Sequence, residues 1–279
     1  MKFTKWQGVG NDFIIPDEFD FTVATGVNDF AQKICDRHFG VGADGLCLLE
    51  TTDKADIRMR LINADGSEAE MCGNLIRCVA RHLYETGFVQ KTKMSVETLA
   101  GIMIPEVILQ DDKIVNIKVD MGVPKTNYGD IPIKGNPLDK ATNISITVDG
   151  QQFIGTGVSM GNPHFVIYVD DINSIDIEKI GPLLEQHEMF PAKANIEFVQ
   201  VINKNKIRMR VWERGAGVTL ACGTGACAST VAGVLNNQTE AKVEVVLDGG
   251  SLFIEWDENR ENIYMSGSAV KVFIGEYLL

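Results

Sequence analysis

The chain has 279 residues, 45% of them hydrophobic, enough for one large domain or two of ordinary size, and this excludes a disordered chain. A formal net charge of −12 speaks against nucleic acid or an anionic membrane surface as a partner. No apolar run approaches the roughly 20 residues of a membrane helix, and the start MKFTKWQGVGNDF lacks the apolar stretch of a signal peptide, so the expectation is a cytoplasmic protein with reduced thiols.

In chain order, GNDFIIPD (10–17) reads as a strand and DFAQKICDRHF (29–39) as a helix. GVGADG (40–45) fits the dinucleotide pattern G-x-G-x-x-G, but a helix precedes it and the strand LCLLE follows. The phosphate-binding loop needs the reverse order, so this is a glycine-rich turn and no cofactor is expected. IRMR (57–60) alternates apolar and basic side chains, as a half-buried strand does. After Cys72, Leu75, Val79 and Leu83 recur every fourth position, and Gly87-Phe88 ends that helix. Short strands fill 94–120. The stretch 120–141 is rich in Gly, Pro, Asn and Asp and marks a join. Beyond it, strands are expected over 143–170, 195–213 and 241–275, with the uncharged and therefore buried helix GTGACASTVAGVL between them.

Two signals repeat. IRMR recurs at 207–210, and Ile57 and Ile207 each stand 15 positions before a Cys-Gly pair. GNDFIIPD is matched by GNPHFVIYVDD at 161–171, again about 150 residues on with one insertion. The chain is a duplication. The expected fold is α+β: two homologous halves, each a curved, mostly antiparallel, barrel-like sheet around a buried helix. The halves are residues 1–120 with 266–279, carrying Cys72, and residues 121–265, carrying Cys222.

Six cysteines in a long cytosolic chain, Cys35, Cys47, Cys72, Cys78, Cys222 and Cys227, are core residues or reactive thiols rather than a disulfide framework. Their spacing does not match zinc knuckles. Cys78 and Cys227 fall inside the helices as small buried hydrophobes. Cys72 and Cys222 sit at turn-to-helix junctions, where free N–H groups and the helix dipole favour an anion. Both thiols are expected to have a depressed pKa. The backbone N–H groups of Gly73, Asn74, Gly223 and Thr224 can cradle a carboxylate. Two such thiols facing one cleft suit inversion of a carbon centre, one removing a proton from the α-carbon and the other returning one to the opposite face. Donors from two helix ends would stabilise the carbanion.

GxGNDF, NADGSExxxCGN, SMGNPH, ERGAG and ACGTGACA, in that order along the chain, together resemble the diaminopimelate epimerase family, and GGSLFIEW fits it too. The resemblance implies a cofactor-independent, dimeric enzyme that interconverts LL- and meso-diaminopimelate for lysine and cell-wall synthesis. It implies Cys72 and Cys222 as the two bases and Gly73, Asn74, Gly223 and Thr224 at the reacting carboxylate. Asn11, Asn63, Asn162, Asn195, Glu213 and Arg214 would hold the rest of the substrate, with His164 and Glu213 tuning the cysteines. Gly45 stands where some members carry a substrate-touching Gln, so no side-chain contact is expected there, and Asp44 beside it is read as structural. The alternatives are an isomerase of the same fold, a proline or hydroxyproline racemase, and a thiol–disulfide switch. The paired cysteines count against the first, the Arg214 and Asn195 match against the second, and the third predicts indifference to diaminopimelate.

Overall fold

A computed structural model describes residues 1–24 and 26–278 of the chain. The elements run β1 (Lys2–Gly8), β2 (Asn11–Pro16), α1 (Val27–Cys35), β3 (Gly45–Glu50), β4 (Ile57–Asn63), β5 (Glu68–Ala69), α2 (Gly73–Glu85), β6 (Val96–Thr98), β7 (Gly101–Met103), β8 (Pro105–Gln110) and β9 (Lys113–Asp120). There follow β10 (Ile144–Val148), β11 (Gln151–Ser159), β12 (Pro163–Tyr168), α3 (Ile177–Glu185), β13 (Asn195–Asn203), β14 (Lys206–Glu213), β15 (Gly217–Thr219), α4 (Gly223–Leu235), β16 (Lys242–Leu247), β17 (Gly250–Trp256), β18 (Ile263–Gly267) and β19 (Val270–Glu276). The chain forms two compact units: Met1–Asp120 with the segment from Ser266, and Met121–Met265.

In the first unit the strands lie in the order β19-β1-β2-β3-β4-β6-β7, with β5 beside β4. β2–β3 and β4–β6 are parallel, and the pairs β19–β1, β1–β2, β3–β4 and β6–β7 are antiparallel. The second unit repeats the scheme as β11-β12-β13-β14-β16-β17, with β12–β13 and β14–β16 parallel and β15 beside β14. Each parallel pair needs a crossover. α1 crosses between β2 and β3 and α3 between β12 and β13, while α2 crosses between β4 and β6 and α4 between β14 and β16. The two halves are thus homologous element by element. The expected barrel-like character is corrected: among the described residues neither strand path returns on itself, and each sheet is open and mixed.

The IRMR strands behave as their alternation requires. Ile57, Met59, Ile207 and Met209 are buried, and Arg60 and Arg208 pair with Glu68 and Asp248 on the wetter face. α2 and α4 are each 13 residues long, beginning one residue after Cys72 and Cys222. α4 is buried from Gly225 to Val234 and packs on β11 to β14, β16 and β17, so an uncharged helix is the only kind that fits there. The sequence places His187 in a helical stretch, and α3 ends two residues before it, at Glu185. Gly181-Pro182 interrupts its pattern, but Asp176 caps it through the Lys179 N–H at 3.2 Å, and Gly181 lies so close to Trp212 that a Cβ would stand 2.6 Å from the indole.

Candidate active site

In the first unit Cys72 is the residue before α2, extended at φ −141°, ψ 117°, with no side-chain cap. The first N–H groups of a helix have no intrahelical acceptor, so this corner can hold an anion. Cys72 is half-buried, and its Sγ lies 3.5 Å from Asn11 Oδ1. Asn11 is oriented from behind: its Nδ2 donates to Asp44 Oδ2, which leaves Oδ1 for the sulfur. Asp44 also accepts from the Asp12 N–H at 2.9 Å and from Arg37 at 2.7 Å. Arg37 forks onto Asp12 at 2.8 and 3.1 Å, and Lys5 Nζ stands 2.8 Å from the same carboxylate. Burial alone would raise the Asp12 carboxyl, but the hydrogen bonds and charges of Arg37 and Lys5 outweigh it and hold it at about 2. Asp44 therefore does more than the sequence reading gave it.

Asn74 is buried, and its Oδ1 accepts from Arg77 at 2.9 Å, so its side-chain oxygen is committed within the helix start. Gly8 approaches closely here: a Cβ on it would lie 3.0 Å from the Asn74 carbonyl oxygen. Asn63 ends β4 and donates to Ser67 Oγ at 2.9 Å across the following turn. A Cβ on Gly45 would stand 2.6 Å from Leu61 Cδ1, so the glycine seats β3 against β4.

The second unit presents the equivalent corner in different company. Cys222 precedes α4 with φ −124° and ψ 109°, and is buried with its Sγ 3.6 Å from Thr224 Oγ1. Thr224 Oγ1 accepts from Asn162 Nδ2 at 3.4 Å. Asn162 Oδ1 faces His164 Nε2 at 3.0 Å, and His164 Nδ1 is 2.6 Å from Glu197 Oε1. Glu213, at the end of β14, accepts from Thr219 Oγ1 and hydrogen-bonds Cys222. Burial pushes the Glu213 carboxyl up against the opposing bonds from Thr219 and Cys222. Asn195 is buried and buttresses the backbone, donating to the Pro163 carbonyl at 2.9 Å and accepting from the Arg214 N–H at 2.9 Å. Arg214 is exposed, and its guanidinium donates to the Ala192 carbonyl at 3.1 Å.

The expectation of a depressed thiol pKa is overturned at Cys222. Burial, then the charges of Glu213 and Glu197, raise it well above the ordinary value, and the bonds from Thr224 and the Gly225 N–H do not offset them. A helix terminus contributes about 1 kcal/mol or less, whereas a charge a few ångströms away in a dry site contributes several times that. Cys35 and Cys78 are pushed up to about 12 by burial, and Cys47 well above its ordinary value, so these thiols are inert. Among the described residues no group of three or more His, Cys, Asp or Glu could hold a metal ion, and no helix is long and apolar enough to cross a membrane.

The sequence reading missed Glu197. Its signal was one acidic residue within NIEFV, a strand segment buried on both faces, which needs a specific partner to be tolerated.

Residues 3–127 and 156–272 match the family model described as diaminopimelate epimerase. A protein named diaminopimelate epimerase from Pelotomaculum thermopropionicum is 52% identical over 280 residues, spanning 99% of both chains. One of the same name from Acetivibrio thermocellus is 51% identical, spanning 99% of this chain and 98% of its own. Among solved structures, a Bacillus anthracis phenazine biosynthesis protein of the PhzF family superposes with a TM-score of 0.73 at 18% identity, covering 100% of this chain and 99% of its own. A hydroxyproline epimerase from Agrobacterium vitis gives 0.69 at 13% identity, covering 99% and 90%. At such identities these structures speak to the fold alone.

Proposed function

The chain belongs to the diaminopimelate epimerase family and is an isomerase, and from that membership we propose that it interconverts LL- and meso-2,6-diaminopimelate in lysine biosynthesis by a two-thiol proton exchange at one α-carbon. The observation that carries this reading is the matched pair of helix starts. Two cysteines occupy the same position of the duplicated unit, each ahead of a 13-residue helix whose first N–H groups can take a carboxylate.

In this mechanism one cysteine, as thiolate, removes the α-proton and becomes a thiol. The electron pair is delocalised into the substrate carboxylate, held by the N–H groups of Gly73, Asn74, Gly223 and Thr224. The other cysteine gives its proton to the opposite face and becomes the thiolate, so each turnover exchanges the two roles. Burial, Glu213 and Glu197 favour the thiol form of Cys222, the form that donates in this exchange. Arg214 suits the distal carboxylate, since an exposed guanidinium can take a carboxylate through two parallel bonds. Asn11, Asn63, Asn162, Asn195 and Glu213 complete the assignment, His164 and Glu213 acting on Cys222.

The protein works in the cytoplasm as a homodimer in this reading. β19, at one end of its sheet, leaves Val272, Phe273 and Ile274 at 53%, 45% and 67% exposure, an apolar edge that a second copy would cover. Sedimentation at micromolar concentration checks this, and a monomer would remove it.

The decisive test is proton NMR of LL-diaminopimelate in D₂O with reduced protein, followed by chiral analysis. Loss of the α-proton signal together with meso product is the expected result. Unchanged LL substrate in the presence of folded protein with free thiols would sink the reading.

A further inference from the structure

We propose that Glu197 is a positioning residue of the Cys222 half-site: its buried carboxylate locks the His164 ring, which sets Asn162 and the Thr224 hydroxyl against the sulfur, and places a fixed negative charge beside that thiol. The inference deepens the epimerase reading and rests on it for its catalytic meaning, but the geometry stands independently.

Glu197 is fully buried and pairs with His164, which is buried as completely. Its Oε2 has no hydrogen-bond partner among the described residues. A buried carboxylate oxygen left without a partner is costly, so something other than stability accounts for the residue. The site also makes room for it. A Cβ on Gly225 would stand 2.7 Å from Glu197 Oε1 and 3.3 Å from Cys222 Sγ. Carboxylate and sulfur therefore border the same point in space, at the first turn of α4, and only glycine leaves that point open.

From Glu197 the contacts run in one direction. An ionised carboxylate only accepts, so His164 Nδ1, 2.6 Å away, carries a proton, and this fixes which face of the ring meets Asn162. Nε2 stands 3.0 Å from the Asn162 amide oxygen, a contact that needs a proton on Nε2 as well, and Asn162 Nδ2 meets Thr224 Oγ1 at 3.4 Å, itself 3.6 Å from Cys222 Sγ. The charged groups acting on the sulfur from the packed strands are Glu213 on β14 and Glu197 on β13, His164 on β12 faces the two carboxylates, and α4 carries no charge. The raised Cys222 thiol has Glu197 among its causes, after burial and Glu213.

The test reads thiol chemistry without substrate, so its outcome is separate from the fate of the epimerase reading. The full chain is alkylated with iodoacetamide across a pH series, and Cys222 and Cys72 modification are followed separately by peptide mass spectrometry. In Glu197→Gln, which keeps the shape and removes the charge, the Cys222 midpoint should fall by about one pH unit, about tenfold faster alkylation below it, with Cys72 unmoved. Glu197→Asp, which restores the charge, should bring it back. On diaminopimelate, kcat in Glu197→Gln should fall about tenfold while KM stays within about twofold. A folded Glu197→Gln protein with an unmoved Cys222 midpoint overturns the proposal. Should that variant not fold, Gly225→Ala decides, because its methyl group displaces the carboxylate: the midpoint falls if the proposal holds, and an unmoved midpoint overturns it.

Discussion

The starts of α2 and α4 share a backbone and almost nothing else. Each has an extended cysteine ahead of a 13-residue helix, at the same place in its half. Around Cys72 lie an asparagine turned by Asp44 and a helix carrying the buried Arg77. Around Cys222 lie a His–Glu pair, a second glutamate and a helix with no charge. Position by position the exchange is chemical rather than architectural: Cys47 stands where Glu197 does, Asn63 where Glu213 does, Ala64 where Arg214 does, and Gly45 where Asn195 does. Two copies of one backbone thus hold thiols in contrasting surroundings. Fold and helix position set where the sulfur sits. Buried neighbours, more than the helix terminus, set how tightly it holds its proton.

The sharpest way to break this comparison is to remove one sulfur at a time. Under the two-thiol proposal each copy is indispensable whatever its surroundings, so Cys72→Ala and Cys222→Ala should each lower kcat by about a thousandfold or more, with an unchanged circular dichroism spectrum. If either retained more than a few per cent of the turnover measured by NMR, the halves would not act as a pair. A smaller effect probes the charge the second half alone carries next to its turn. Arg214→Lys replaces a planar fork by a point charge and should raise KM about tenfold with kcat nearly unchanged. An unchanged KM in initial-rate measurements would remove Arg214 from the substrate.

The sequence showed the duplication because it is written in spacing: the two IRMR strands, the equal distance to Cys-Gly and the helical periodicity behind each cysteine all correspond to structure. It showed the reversed order around GVGADG, which lies between α1 and β3. It did not show the open, mixed sheets, because a parallel pair and an antiparallel pair bury the same alternating side chains, nor the bounds of α3, whose pattern Gly181-Pro182 breaks ahead of His187. Nor did local sequence show Asp44 and Glu197 behind the cysteines. Asp44 is 33 positions from Asn11, and Glu197 is 33 from His164, and such partners meet only once the strands are in register.

The smallest effect concerns the network behind Asn11. Asp12 follows Asn11 and His164 lies two residues after Asn162, but Asp12 is held by two cations where His164 is held by one carboxylate. Its folded pKa of about 2 lies below the unfolded carboxylate value of about 3.9, so the folded state favours the ionised form. That contribution to stability is fully present above about pH 4 and is lost as the pH falls through about 2. Asp12→Asn also leaves the buried Lys5 without its counter-charge, with only the Gly42 carbonyl to accept from it, so the variant should be less stable at pH 7 by about 2 kcal/mol in urea unfolding. The gap between wild type and variant should close between about pH 4 and pH 2, because a protonated Asp12 and the substituted amide offer Lys5 and Arg37 the same neutral partner. A gap that stays constant over that range would mean that the ionised carboxylate is not what anchors this half's network.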